Sequence, residues 1–122
     1  MAKTIMIVDD SASVRQVVGI ALKGAGYNVI EGCDGKDALA KLTGQKVHLI
    51  VSDVNMPNMD GISFVKGVKA MPAYKFTPVI MLTTESQEAK KREGQMAGAK
   101  AWVVKPFQPA TLLSAVEKLV LP

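Results

Sequence analysis

Cysteine occurs once in the 122 residues, at Cys33, so no intrachain disulfide and no cluster of thiolate metal ligands can form. A reducing compartment suits such a chain. His48 is the sole histidine and heads an apolar run with no partner motif, which makes it a structural residue. Aromatic side chains make up only 5%, and the basic excess of 15 Lys+Arg over 11 Asp+Glu is mild. With no concentrated basic stripe and no known reading motif, nucleic-acid binding is not expected. An acidic partner surface is the most that this charge implies. Long apolar runs are missing as well: Ile5 to Val8 is cut off by Asp9 and Asp10, far short of a signal peptide or a membrane span. The chain is expected in the cytoplasm, away from membranes.

Linkers, internal repeats and low-complexity stretches are also lacking, and the mass of 13.0 kDa suits one domain over residues 1–122 with no output domain attached. The 48% apolar content is enough for a real core. Five β-branched or apolar runs predict strands at 4–8, 28–31, 48–52, 78–83 and 101–105. Between them, Val14, Val17, Val18, Ala21, Leu22 and Ala25 keep helical spacing, capped by Ser11 or Ser13. Shorter helical patterns follow Asp34–Gly35 and run through Ile62, Val65 and Val68. Residues 86–98, polar and lysine-rich with few apolar anchors, give the weakest helical pattern of the five, and a last helix opens at Pro109. Five alternations of strand and helix predict an α/β fold, an open doubly wound parallel sheet with helices on both faces.

In such sheets ligands bind beyond the carboxyl ends of the strands. The residues that fall there are Asp9 and Asp10, Asp53, Thr83 and Thr84, and Lys105. Clustered carboxylates raise one another's pKa unless a cation compensates, and both Lys105 and a divalent ion would do so. Oxygen ligands of this kind suit Mg2+, which keeps several waters and often bridges to phosphate. Aspartate can also act as a nucleophile towards phosphorus, and Asp53, held rigidly after Leu49, Ile50 and Val51, is the natural one. Taken singly, Asp9–Asp10 reads as a helix cap, Lys105 as a surface lysine, Thr83 as a strand residue and Trp102 as core packing. Their joint placement at strand ends favours chemistry.

With these residues in place the chain resembles the receiver domain of two-component response regulators, of the stand-alone, CheY-like chemotaxis type. The resemblance rests on Val8-Asp9-Asp10-Ser11, on Ser52-Asp53-Val54-Asn55-Met56-Pro57 with Asp60-Gly61, on Leu82-Thr83-Thr84-Glu85, and on Val103-Val104-Lys105-Pro106-Phe107. It spans essentially the whole chain. It implies a five-stranded flavodoxin-like sheet in the order 2-1-3-4-5, and a monomer that is a phosphoacceptor rather than an enzyme. It also implies that Asp53 takes a phosphoryl group from a histidine kinase of the chemotaxis type. Mg2+ would sit on Asp9, Asp10, Asp53 and the backbone carbonyl of Asn55. Lys105 would hold a phosphoryl oxygen and Thr83 would move to bond another, while Asn55 and Glu85 would tune dephosphorylation. The resemblance also implies a cis peptide before Pro106.

Three features depart from the family pattern. The switch aromatic is Trp102 rather than Tyr or Phe, and the residue after the switch threonine is Thr84 rather than a small one. The flagellar motor switch is the downstream target the resemblance suggests, yet Gln87 and Glu88 stand where such proteins carry lysines. Lys90, Lys91 and Arg92, together with Trp102, form the expected partner surface for an acidic peptide or a kinase domain. A flavodoxin-like flavin carrier is the first rival, disfavoured because Asp9 and Asp10 would repel its phosphate. The second, an aspartyl-phosphate hydrolase, generally has a second aspartate where this chain has Asn55. A scaffold without phosphorylation is disfavoured because each chemical residue is present.

Overall fold

The computed structural model describes residues 2–54, 56, 58–84, 98–105 and 108–121. Strands β1 (Thr4–Val8), β2 (Asn28–Gly32), β3 (Leu49–Asp53), β4 (Val79–Thr84) and β5 (Ala101–Lys105) alternate with helices α1 (Ala12–Gly24), α2 (Gly35–Leu42), α3 (Gly61–Lys69) and α4 (Pro109–Leu119). The strands form one sheet in the order β2-β1-β3-β4-β5, with every pairing parallel.

Strand periodicity explains the two cores. Side chains alternate faces along a strand, so a parallel strand buried on both sides must be apolar throughout. In β1, Ile5 and Ile7 join Leu49, Val51, Ile80 and Leu82 beneath α1 and α4. Met6 and Val8 turn the other way and join Ile50, Val79 and Met81 beneath α2 and α3. Each fully buried Leu, Ile or Val contributes about 1.5–3 kcal/mol relative to an exposed one, so the central strands are the main source of stability.

The helices begin where the sequence provides caps. Ser11 accepts from the Val14 amide at 3.3 Å, Asp34 from Asp37 at 2.8 Å and Asp60 from Ser63 at 2.7 Å. These caps satisfy first-turn amides and place all three helix starts at the carboxyl edge of the sheet. Ser11 thus takes the cap, not Ser13. Pro109 opens α4 behind Gln108, which makes no side-chain cap bond. His48 has the structural role expected: its Nδ1 accepts from the Thr4 amide at 3.0 Å, fastening β3 to β1. Cys33, which as a small apolar side chain would suit the core or its rim, is exposed. Among the described residues no helix is long and apolar enough to cross a membrane.

Candidate functional site

Strand parity assembles the site. Asp9, one residue past β1, continues the row of Ile5 and Ile7; Asp53 continues Leu49 and Val51; Lys105 continues Ala101 and Val103. All three therefore reach the carboxyl edge on the α1/α4 side. Lys105 starts two strands away from Asp53, a backbone separation of roughly 10 Å at ordinary strand spacing. Its extended stem crosses β4, and Nζ lies 3.1 Å from Asp53 Oδ1 and 3.2 Å from Asp9 Oδ2.

Local bonds fix each carboxylate. Asp9 is fully buried, and its Oδ1 accepts from the Ser11 amide at 2.9 Å while Arg15 donates to its backbone carbonyl. Arg15 also pairs with Glu31 at 3.2 Å, so α1 and β2 brace the aspartate from behind. The Asp53 Oδ1 accepts from the Val54 amide at 2.9 Å. Asp10 is exposed, and one carboxylate oxygen from each of Asp9, Asp10 and Asp53 lies within 4.8 Å of the others.

A glycine closes the loop behind Asp53. The Gly61 amide donates to the Val54 carbonyl at 2.8 Å, and a Cβ on Gly61 would lie 2.0 Å from the Asp53 carbonyl oxygen. No side chain fits there without moving the strand end. Gly61→Ala is expected to lower stability by about 2 kcal/mol or more, read as a drop in the denaturation midpoint. An unchanged midpoint would show that this loop relaxes freely.

The electrostatics are those of an anionic excess. Burial, and after it the charge of Asp9, pushes the Asp53 carboxyl above the usual carboxylate range, against the pull of Lys105 and the Val54 amide. Burial also works against the Lys105 charge, yet Asp53 and Asp9 together outweigh it and hold the ammonium above the usual lysine range. One ammonium shared by two carboxylates, with a third beside them, leaves negative charge to spare. The donors are hard oxygens, and they fit Mg2+.

Other expected residues fall elsewhere. Thr83 is buried near the end of β4, one position beyond Leu82, the register partner of Asp53. Trp102 opposes Met81 and packs, partly buried, against the α2/α3 core, on the opposite side of β5 from Lys105. Its indole Nε1 is buried and finds no hydrogen-bond partner among the described residues. Asn55, Glu85, Gln87, Glu88, Lys90, Lys91, Arg92 and Pro106 lie outside the described residues. Arg15 is the site residue that sequence reasoning missed. Its place on the first turn after Ser11 was the available signal.

Residues 5–117 match the response regulator receiver domain family. Chemotaxis protein CheY-3 of Vibrio cholerae is 37% identical over 116 residues, covering 94% of this chain and 89% of that protein. Protein PilG of Pseudomonas aeruginosa is 36% identical over 113 residues, covering 93% and 84%. The solved structure of chemotaxis response regulator CheY4 of Vibrio cholerae superposes with a TM-score of 0.93 at 48% identity, covering 98% of this chain and 100% of that one. A receiver domain from a Pseudomonas aeruginosa sensor histidine kinase, solved with magnesium in its active site cleft, gives a TM-score of 0.89 at 25% identity, each chain covered to 98%.

Proposed function

This chain belongs to the response regulator receiver domain family, and on that premise we propose that it accepts a phosphoryl group on Asp53 in a magnesium-dependent reaction. We further propose that the modification switches partner binding in chemotaxis or motility signalling. The observation that carries the reading is the Lys105 bridge between Asp9 and Asp53, with Asp10 completing the acidic cluster. The donor is a histidine kinase of the chemotaxis type, and the flagellar motor switch is the proposed target, in keeping with the chemotaxis names of CheY-3 and CheY4.

The residues divide the work. An Asp53 carboxylate oxygen attacks phosphorus as the donor's N–P bond breaks, its electron pair returning to the imidazole. Asp53 becomes an acyl phosphate. Lys105, already 3.1 Å from Asp53, stays beside the transferred group and offsets the charge that develops on its oxygens. Asp9 and Asp10 would hold Mg2+ with Asp53 and the Asn55 backbone carbonyl, and the bound ion supplies further charge neutralisation to those oxygens. Hydrolysis of the acyl phosphate resets the protein, with Asn55 and Glu85 tuning its rate.

Incubation with acetyl phosphate followed by mass spectrometry tests this. One added phosphoryl group per chain is expected with Mg2+ and none with EDTA. Equal labelling in both would overturn the metal requirement.

The output step runs through the other parity of the sheet. Thr83 continues the row of Val79 and Met81, which faces the same side as Trp102. A phosphoryl group adds roughly 1.5 to 2 negative charges and three acceptor oxygens, new partners for the Thr83 hydroxyl and Lys105. Movement of Thr83 towards the site changes the space beside Trp102, the one tryptophan. Beryllofluoride with Mg2+ is therefore expected to change tryptophan emission in wild type and not in Asp53→Asn. An unchanged spectrum with beryllofluoride bound would make Trp102 plain core packing.

A further inference from the structure

A doubly wound sheet sends every helix C-terminus to the edge opposite the phosphoacceptor. Lysines gather there for a simple reason: Lys23, Lys66, Lys69 and Lys118 occupy last turns, where a cation complements the helix dipole, whereas Lys41 in the last turn of α2 reaches back to Asp37 and the Glu31 carbonyl. Dipoles do not explain the rest. Lys3, Lys46, Lys75 and Lys100 lie in the loops of the same edge, outside any helix. Among the described residues, the acid on this edge is Glu117 alone, since Asp9, Asp10, Asp34, Asp53 and Asp60 all sit at strand ends or helix starts on the opposite edge.

The band has shape as well as charge. An open cleft of about 510 Å³ is lined by Lys46, Val47, His48, Tyr74, Thr77 and Leu121. Thr77 links it onward, because its carbonyl accepts from Lys69 Nζ. Burial, and then the nearby charge of Lys100, holds the Lys69 ammonium below the usual lysine range. Lys100 in turn stands at the foot of a second open cleft of about 630 Å³, which climbs along α4 from Lys118 and Leu119 past Ala115 to Thr111 and Ala110. Beside the first cleft Phe76 is 80% exposed, with Lys75 Nζ 5.6 Å from its ring centre. Two half-apolar clefts are thus joined by unopposed lysines and flanked by an exposed aromatic ring.

We propose that this basic edge, running from Lys46 past Phe76 and Lys69 to Lys100 and Lys118, is a docking surface for an acidic polypeptide segment that alternates carboxylates with apolar side chains. The carboxylates meet the lysines, and the apolar groups enter the clefts and cover Phe76. Charge complementarity sets the sign of the partner, and the concave apolar linings favour a peptide over a flat bilayer. The stacking of nucleotides needs a run of exposed aromatic platforms, whereas Tyr74 is buried and Tyr27 partly so, which leaves Phe76 as the one well-exposed ring on this edge among the described residues.

A fluorescein-labelled peptide of alternating glutamate and leucine, followed by anisotropy, tests the assignment. The Lys100→Glu, Lys118→Glu double variant is expected to weaken binding by about tenfold or more, and Phe76→Ser by about fivefold. Lys36→Glu, on the first turn of α2 at the opposite edge, changes net charge by the same amount per residue. It is expected to leave the affinity within about twofold, because charges beyond a Debye length are screened. Equal losses from Lys36→Glu and the double variant would reduce the effect to overall charge and overturn the site. Tighter binding of oligothymidylate or of phosphatidylserine vesicles than of the peptide would overturn the choice of partner. Concentration-dependent self-association in sedimentation, lost in the double variant, would assign the edge to a second copy and likewise overturn it.

Discussion

Asp53→Asn is expected to accept no phosphoryl group from acetyl phosphate and yet to unfold at a higher temperature than wild type in EDTA. Both effects follow from the same carboxylate. Asparagine has no anionic oxygen to attack phosphorus, so labelling of the chain falls to background if Asp53 is the acceptor. Stability moves the other way because burial and Asp9 raise the Asp53 pKa. A folded-state pKa above the unfolded one means the native state favours the protonated form. Stability from this group is full below the unfolded carboxylate pKa and is lost as pH rises through the folded value. At neutral pH the wild-type chain without metal therefore carries a destabilising charge that the amide lacks. Lys105 keeps its contact with Asp9 at 3.2 Å, so the substitution strands no ammonium. A gain of about 1 kcal/mol in EDTA is the expected size, shrinking at acidic pH and reversing in Mg2+. A variant that melts below wild type in EDTA at pH 7 would refute the anionic excess.

Much of the fold is written in short-range patterns. Apolar runs bounded by Asp, Gly and Pro located all five strands with ends displaced by no more than one residue: β2 runs on to Gly32, β3 begins at Leu49 and reaches Asp53, and β4 spans Val79–Thr84. Buried parallel strands are legible because both faces must be apolar. Helix starts were legible at Asp34 and Pro109 because capping chemistry is local, whereas Ser11 and Ser13 could not be separated without knowing which serine precedes the first helical turn. The stretch 86–98 offered the weakest pattern, and residues 85–97 lie outside the described ones.

The site was legible for a different reason. Strand ends in a parallel sheet converge, so listing the residues after each apolar run already collects Asp9, Asp10, Asp53 and Lys105. Contacts between elements are less legible, and position in sequence only hints at them. Arg15 beside the Asp9 carbonyl and Glu31 depends on the angle at which α1 packs over β2. The 2.0 Å clearance at Gly61 depends on how tightly the β3–α3 loop folds back. That Trp102 faces away from Lys105, three residues along β5, follows from strand parity alone. The buried, unpartnered indole nitrogen has no signature in sequence.

Lys105→Ala is expected to combine the largest loss of stability with a large loss of phosphoryl transfer. Its side chain is 23% exposed, against 1% for Asp9 and 13% for Asp53, so the bridge it makes is mostly shielded from water. Removing one partner from a buried pair is far costlier than the pair is worth, because the stranded charge remains. Here two stranded carboxylates remain, with Asp10 beside them. The expected cost in EDTA is about 2 to 4 kcal/mol, discounted from the fully buried case for residual solvent access. Mg2+ then takes over the counter-charge that Lys105 supplied to these carboxylates, so its stabilisation should be larger in the variant than in wild type. Lys105→Arg keeps a cation and should restore much of the stability, though its longer, planar head misfits a site shaped for a single ammonium. Labelling by acetyl phosphate should slow by about a hundredfold or more in Lys105→Ala even at saturating Mg2+, since a preorganised positive group at the developing charge is gone. Thermal denaturation with and without Mg2+ separates the two roles. A variant that melts with wild type in EDTA but labels slowly would confine Lys105 to the transfer step, and one that labels normally would remove it from the chemistry.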